Sequence, residues 1–163
     1  MDVSSQRHDG ARLTVSLLQP LGMRDAALSD ALARFGVCER PGADALLIAG
    51  GLDVGAFLAS DGTGALSADV MATVMTAHKA GRWIGAPCVA LAVALRALER
   101  EVAAGAADRR DRHGDAVSFP QLRLVSTDRP LLGRSENERH DVLASFVRVL
   151  ADQVKQTQSP KSP

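Results

Sequence analysis

The chain has 163 residues, a length typical of a single domain that can bury a substantial core. Its 19 Lys and Arg residues balance 19 Asp and Glu residues, so net charge gives no electrostatic basis for binding nucleic acid or an anionic membrane surface. Aromatic residues make up 3% of the chain and Tyr is absent, which argues against base-stacking platforms and aromatic cages for cations.

The sequence shows no signal for export or for membrane insertion. It lacks a run of about 18 apolar residues, which a membrane-spanning helix would need. The first ten residues are polar and lack the apolar stretch of a signal peptide. Cys38 and Cys88 are too few for a disulfide scaffold or a zinc site, so we expect free thiols, a cytoplasmic protein and no cofactor.

The first predicted elements are a strand and a helix. Residues 1–11 are polar and are expected to form a disordered lead. Residues 13–18 (LTVSLL) form a mostly apolar run that stops before Pro20, which predicts a strand. Residues 24–35 carry apolar side chains at helical spacing, and Gly36 ends the predicted amphipathic helix.

The middle of the chain repeats this order. Residues 45–49 (ALLIA) form a continuous apolar run, typical of a strand covered on both faces. A second helix is predicted over residues 67–80 and a strand over residues 83–86. Residues 89–104 are helical by composition and periodicity, and they are expected to form a single helix.

The last predicted elements are a strand over residues 122–126 and a closing amphipathic helix over residues 137–154. Residues 155–163 are mostly polar and include two prolines, so we expect a disordered tail after one domain at residues 12–154. Strands that alternate with helices through short links predict right-handed crossovers. The predicted fold is therefore a three-layer α-β-α sandwich with a mostly parallel, flavodoxin-like sheet of four or more strands.

Three predicted loops follow the carboxyl ends of strands, at residues 19–23, 50–66 and 86–89, where sheets of this kind bind ligands. Cys88 lies in the last loop, where a strand turns into a helix. The unpaired N–H groups and partial positive charge of a helix start stabilise a thiolate, so this thiol can ionise below its free pKa of about 8.5. The alternative is a buried, unreactive thiol that packs as a small hydrophobe.

Gly50 and Gly51 directly follow the predicted buried strand. Because they lack side chains, the backbone can pass close to the end of a neighbouring strand, and amide N–H groups in such a turn can bind an oxyanion. Taken alone, the pair is equally typical of an ordinary turn from a strand into a loop.

These features, in this order and with a helix between them, resemble a known family. The stretches DALLIAGG (44–51) and AGRWIGAPC (80–88) are similar to the PfpI-type branch of the class I glutamine amidotransferase-like superfamily. That branch includes intracellular proteases, the Parkinson-disease-associated deglycase and, nearest in appearance, the glyoxalase-like proteins named for enhancing lycopene biosynthesis. The strand LRLVST (122–127) and the long terminal helix resemble the closing unit of this family.

The resemblance implies that Cys88 is the nucleophile of a site formed at a nucleophile elbow. It places Gly51, beside Gly50, and the amide of Val89 on the oxyanion-binding side. It further implies a small carbonyl or acyl substrate and a homodimer, because relatives with this fold usually dimerise.

The chain departs from the family pattern in the groups that move a proton. The glutamate that usually lies beside the cysteine falls on Arg24, with Asp25 one residue away, and Val89 replaces a histidine that often follows the cysteine. Arg24 would favour the thiolate by its charge, although an arginine cannot shuttle a proton. His113, in a charged segment predicted to be a loop, is the nearest candidate base.

Two functions from different classes follow. The first is a PfpI-like enzyme in which Cys88 attacks a carbonyl or acyl carbon, with glyoxalase, deglycase, hydratase and amide hydrolase activities all open. The second is a non-catalytic, dimerising binding or redox-sensing protein in which Cys88 is oxidised to a sulfenic acid. The third possibility is a flavodoxin-like binding domain in which Cys88 is only a core residue.

Other polar features have simpler interpretations. His78 lies near a predicted helix C-terminus, where it stabilises the helix dipole when charged. His140 and its acidic neighbours begin the last helix, as ordinary first-turn residues rather than metal ligands. Residues 61–64 (DGTG) lack the Lys and Ser or Thr of a phosphate-binding loop, and the apolar residues at 52–58 are expected to pack on the sheet or to face a partner chain.

Overall fold

The computed structural model describes residues 13–18, 26–40, 43–48, 68–87, 90–128 and 135–158. The strands in these ranges are β1 (Thr14–Leu18), β2 (Cys38–Glu39), β3 (Ala45–Ile48), β4 (Trp83–Gly85), β5 (Asp111–His113), β6 (Ala116–Phe119) and β7 (Leu124–Thr127). The helices are α1 (Ala26–Arg34), α2 (Ala68–Lys79), α3 (Ala90–Ala97), α4 (Glu99–Ala103) and α5 (Glu136–Gln158).

All seven strands belong to one sheet with the order β2-β1-β3-β4-β7-β6-β5. The strands β2, β1, β3, β4 and β7 run parallel, and the antiparallel hairpin β5–β6 extends the sheet beyond β7. β4 is therefore the central strand. The predicted mostly parallel α/β sheet with helices on both faces is confirmed.

Each inner strand distributes its side chains between two separate cores. In β3, Ala45 and Leu47 pack in one core and Leu46 and Ile48 in the other, as the two-residue period of a strand requires. The first core contains α1 and α5, and we call that side of the sheet the α5 face. The second contains α2 and α3, and we call it the α3 face. A strand buried on both faces reads as a continuous apolar run, which is the pattern of residues 45–48.

The chain crosses the sheet in one direction from β1 to β2 and in the opposite direction from β3 to β4. From β1 the chain crosses by α1 on the α5 face to β2, and from β3 it crosses by α2 on the α3 face in the opposite direction to β4. Opposite directions on opposite faces are what a single handedness of crossover requires. The strands β1 and β3 therefore flank a topological switch point, where ligand crevices of α/β sheets form.

Helix α5 lies very close to the central strand at Gly85. A Cβ atom at this residue would lie 2.8 Å from Leu150 Cδ2 and 3.0 Å from both Leu47 Cδ1 and Phe146 Cζ. All three of these side chains are fully buried. Glycine is thus required here by packing, because any side chain would push α5 away from the sheet.

A hydrogen bond at the other end of β4 explains why α5 is longer than expected. Trp83 Nε1 donates to Thr157 Oγ1 at 2.8 Å, and Trp83 is only 6% exposed. The helix continues to Gln158, so the first four residues of the predicted disordered tail are helical. Residues 159–163 and the predicted lead at residues 1–11 lie outside the described residues.

The helix predicted over residues 89–104 is divided in two. Leu98, with φ −104° and ψ 27°, separates α3 from α4, and its side chain is 1% exposed. The helix Glu99–Ala103 that follows has no buried residue of its own. Because strong helix formers occupy the whole stretch, composition does not show the break.

The charged segment around His113, predicted to be a loop, is instead the hairpin β5–β6. Gly114, with φ 65°, lies in its turn, and the four residues of β6 are buried. The apolar alternation that marks a strand is absent from Asp111, Arg112 and His113. These residues form a strand because they pair with β6, and not because of their own strand preference.

None of the described helices is long and apolar enough to cross a membrane.

We expect Gly85→Ala to lower the free energy of unfolding by about 1–3 kcal/mol, because the added methyl group overpacks the contact with α5. Urea unfolding measures this loss. Leu150→Ala removes the nearest clashing atom, so the double variant is expected to be more stable than the sum of the single effects by at least about 0.5 kcal/mol. Strictly additive losses would contradict the proposed contact.

Thr157→Val is expected to cost about 1–3 kcal/mol, because it leaves the buried Trp83 N–H without its acceptor. Trp83 is the single tryptophan of the chain, so its fluorescence reports the change directly. Thr73→Val is the matched control, since Thr73 and Thr157 each donate to the carbonyl four residues earlier in their helix. Equal losses in the two variants would show that the tryptophan bond adds nothing.

Candidate active site

Three adjacent parallel strands place the predicted loops side by side. β1 pairs with β3, and β3 pairs with β4, so their carboxyl ends share one edge of the sheet. Leu47 lies opposite Gly85 in the register. Gly50 and Cys88 each follow one member of this pair by three residues. The two segments that the sequence predicts to form a site therefore leave the sheet from the same level of neighbouring strands, about 4.8 Å apart.

The chain turns from β4 into α3 within four residues. Ala86 and Pro87 are buried, and the N–H of Ala86 donates to the carbonyl oxygen of Val125 at 2.8 Å. The N–H of Ala90, the first residue of α3, donates to the carbonyl oxygen of Pro87 at 3.1 Å. A strand, a short connection and a helix thus follow one another at this edge of the sheet.

Most of the site residues predicted from the sequence lie outside the described residues. They are Arg24, Asp25, Gly50, Gly51, Cys88 and Val89. The same holds for residues 52–58 and 61–64 and for Ser67. The structure describes the strands and helices that flank these residues.

His113, the candidate base, lies on β5 at the outer edge of the sheet. Its Nε2 is 3.0 Å from the Oγ of Ser118, a side chain that is 1% exposed. It pairs with Ala116, which belongs to the core of the α5 face, so His113 also faces α5. Three strand spacings, about 14 Å, separate β5 from β4. The structure thus gives His113 a hydrogen-bonded structural position and does not bring it next to the end of β4.

The end of β7 carries polar residues that the sequence analysis did not select. Ser126 and Thr127 are buried, and Asp128 follows them. Asp128 Oδ2 lies 3.3 Å from Arg112 Nε, a pair in which the arginine side chain is 75% exposed. Within the part of the chain that the structure describes, the buried Ser126 Oγ has no hydrogen-bond partner. The sequence carried one sign of these polar residues. The strand predicted over residues 122–126 changes from apolar to polar residues at Ser126.

The two other histidines that the structure describes, His78 and His140, occupy the helical positions expected of them. His78 is in the last turn of α2, with Nε2 4.0 Å from Glu101 Oε1. His140 Nε2 lies 3.8 Å from Glu136 Oε1 and 4.0 Å from Asp30 Oδ2, and so joins the start of α5 to α1. Among the described residues, no group of His, Cys, Asp and Glu side chains is arranged to hold a metal ion.

Two shallow cavities among the described residues lie away from the carboxyl edge. One, of about 270 Å³, lies at the amino ends of β3 and β4, lined by Asp44, Arg82, Trp83 and Thr157 among others. The second, of about 280 Å³, lies between α2 and the sheet and is also lined by Arg82. Neither adjoins the turn after β4.

No protein-family model matches the chain, and no curated protein does. Two solved structures are similar in fold. One is an isoprenoid biosynthesis protein with an amidotransferase-like domain from Ehrlichia chaffeensis, with a TM-score of 0.65 and 14% identity over 86% of this chain and 98% of that chain. The other is the protein VC2308, with a TM-score of 0.55 and 13% identity over 92% of this chain and 94% of that chain. The chain therefore shares its fold with a protein that has an amidotransferase-like domain.

His113→Ala tests whether this histidine acts in the chemistry. We expect a loss of about 1 kcal/mol in unfolding free energy, since the hydrogen bond to the buried Ser118 is lost, and no change in the reactivity of Cys88. Ser118→Ala removes the same bond from the other side and serves as the control. If His113→Ala reduced Cys88 reactivity and Ser118→Ala did not, His113 would be the base after all.

Proposed function

We propose that the chain is a cysteine-dependent enzyme of the PfpI type that acts on a small carbonyl or acyl compound, with Cys88 as its nucleophile. With an aldehyde, the thiolate forms a bond to the carbonyl carbon, the carbonyl π pair moves to oxygen, and that oxygen takes a proton to give a hemithioacetal. With a 2-oxoaldehyde such as methylglyoxal, a base then moves the proton from the hemithioacetal carbon to C2 through an enediol, and water hydrolyses the resulting 2-hydroxy thioester and releases the thiol. With an acyl substrate, collapse of the same adduct expels a leaving group that takes the proton, and water hydrolyses the thioester.

The observation that carries this proposal is the parallel register of β3 and β4. Leu47 and Gly85 lie opposite each other, and the chain leaves this level once toward Gly50 and once toward Cys88. An acyl-transfer site needs a nucleophile and an oxyanion donor about 3 Å from one reacting atom. Two adjacent parallel strands that end at the same level place the segments after them side by side. One segment then supplies the nucleophile and the other supplies the oxyanion donor.

The start of α3 supports the ionised form of the thiol. Ala90, Val93 and Ala94 are buried against the sheet, so the first turn of this helix is held in place next to the end of β4. Its free N–H groups give a positive field at the point where Cys88 enters the helix in sequence. We assign the oxyanion to the backbone at Gly51 and Val89.

The group that moves the proton is assigned to the segment before α1. Asp25 directly precedes the first residue of that helix, and β1, which leads to this segment, is the neighbour of β3 on the side away from β4. Arg24 would stabilise the thiolate by its charge. Asp25 would accept and return the proton, as a carboxylate does in general acid–base catalysis.

The test uses methylglyoxal as the aldehyde and Cys38→Ser protein as the parent, because Cys38 is the exposed free thiol among the described residues. We expect the parent to consume methylglyoxal and Cys88→Ser in the same background to lose this turnover, since a hydroxyl is a far weaker nucleophile than a thiolate. Thermal unfolding confirms that both variants are folded. Equal turnover in the two would overturn the proposal. Peroxide oxidation of Cys88 to a trappable sulfenate without turnover would favour the redox-sensing alternative instead.

A further inference from the structure

Arg82 is a partly buried cation without a partner. It directly precedes β4, and within the described ranges its guanidinium forms neither a hydrogen bond nor an ion pair. A charge that is partly withdrawn from water loses hydration, and an opposite charge or a set of hydrogen-bond acceptors compensates that loss. Arginine carries five N–H donors in one plane, so the unused donors of Arg82 favour an anion as the missing partner.

The acidic residue at the neighbouring strand position does not serve as that partner. Ala45 lies opposite Trp83 in the register of β3 and β4. The residues that precede them, Asp44 and Arg82, are therefore neighbours on adjacent chain segments. Asp44 Oδ2 instead accepts a hydrogen bond from Thr14 Oγ1 at 2.9 Å, and the Asp44 N–H donates to the same Thr14 oxygen at 3.0 Å. The carboxylate is thus held by β1, and the guanidinium is available to another group.

Arg82 lines a cavity of about 280 Å³ between α2 and the sheet. Ile84 belongs to the core of the α3 face, so alternation places Arg82 on that face as well. The sheet contributes Ser16 and Leu46, which pair with each other across β1 and β3. Helix α2 contributes the remaining described lining residues, which are small: Ala72, Thr73, Thr76 and Ala77.

Two hydroxyl groups of this cavity are also without partners. In the part of the chain that the structure describes, the side chains of Ser16 and Thr76 form no hydrogen bond. Thr73 differs, because its Oγ1 donates to the carbonyl oxygen of Asp69 at 2.8 Å. Arg82 is the single charged side chain among the described lining residues. The cavity therefore offers one positive charge and two O–H donors that are not otherwise used.

The lining favours a monoanion with a short apolar chain. One guanidinium balances one negative charge, so a phosphate dianion would keep a second charge without a cationic partner. The apolar part of the lining, from Leu46, Ala72 and Ala77, suits a short hydrocarbon chain better than further polar groups. A carboxylate also accepts two parallel N–H bonds from one guanidinium, which fixes its orientation.

We propose that this cavity binds the carboxylate of a small organic acid. The Arg82 guanidinium donates to both carboxylate oxygens, and the hydroxyls of Ser16 and Thr76 are additional donors. Because the cavity does not adjoin the turn after β4, this binding site does not rest on the enzymatic function proposed above.

The experiment uses butyrate as the probe and follows backbone amide chemical shifts of the full chain by NMR at low salt. We expect saturable shifts at the amides of Thr73, Thr76 and Arg82. Arg82→Gln is expected to weaken binding at least about tenfold, because hydrogen bonds between charged groups are lost. Arg100→Gln is the matched control. It removes the same charge from an exposed arginine of α4 that lines neither cavity, and it is expected to keep the parent affinity.

Two further comparisons separate the carboxylate from other properties of the probe. Butyramide has the same carbon chain without the charge, and we expect it to cause no shifts at concentrations that saturate with butyrate. Ser16→Ala removes one O–H donor without a change in charge and is expected to weaken butyrate binding about threefold or more. This variant keeps the proposal testable even where Arg82→Gln does not fold, which thermal unfolding shows.

Equal butyrate affinity in Arg82→Gln and Arg100→Gln overturns the proposal, and so does binding of butyramide as tight as that of butyrate. Inorganic phosphate that binds more tightly than butyrate overturns the assignment to a carboxylate. Butyrate shifts confined to residues outside the cavity, or shifts that do not saturate, overturn the site itself. Methylglyoxal turnover that depends on Cys88, in a protein that does not bind butyrate, removes this site and leaves the proposed enzyme intact.

Discussion

The structure depends on the close contact between helix α5 and the central strand at Gly85. Side chains of α5 occupy the space in which a Cβ atom at this residue would lie, so the helix lies closer to β4 than any other residue would allow. On the opposite face, α2 packs against β4. The strand that leads to the proposed nucleophile is thus held tightly from both sides. Catalytic side chains need such rigid support, since displacement of about 1 Å is costly to rate.

The parallel strands also create a local field that net charge does not show. The helices α1, α2 and α3 each follow a strand whose carboxyl end lies at the same edge, so their N-termini are directed toward that edge. Each N-terminus contributes a partial positive charge of about half an elementary charge. The local field at this edge therefore favours negative charge, although the chain has equal numbers of acidic and basic residues. Topology, and not composition, provides this electrostatic preference.

The sequence was sufficient for the parallel half of the sheet because strands buried on both faces are continuous apolar runs, as at residues 45–48. It failed for the hairpin, where Arg112 and His113 are strand residues only because β6 pairs with them. It also failed at Leu98, where the backbone departs from helical geometry within a stretch of strong helix formers. The burial of the Ser126 hydroxyl without a hydrogen-bond partner could not be predicted either, since it is a property of tertiary packing.

The two outer strands of the sheet determine how copies of this chain can meet. β2 has only two residues, and β5 presents Asp111, Arg112 and His113 along the opposite border. Short strands and charged borders prevent the unpaired backbone groups of one sheet from pairing with those of another. Fibrillar stacking of folded copies is thereby disfavoured at high concentration. The described borders of the sheet are thus poorly suited to join two copies edge to edge.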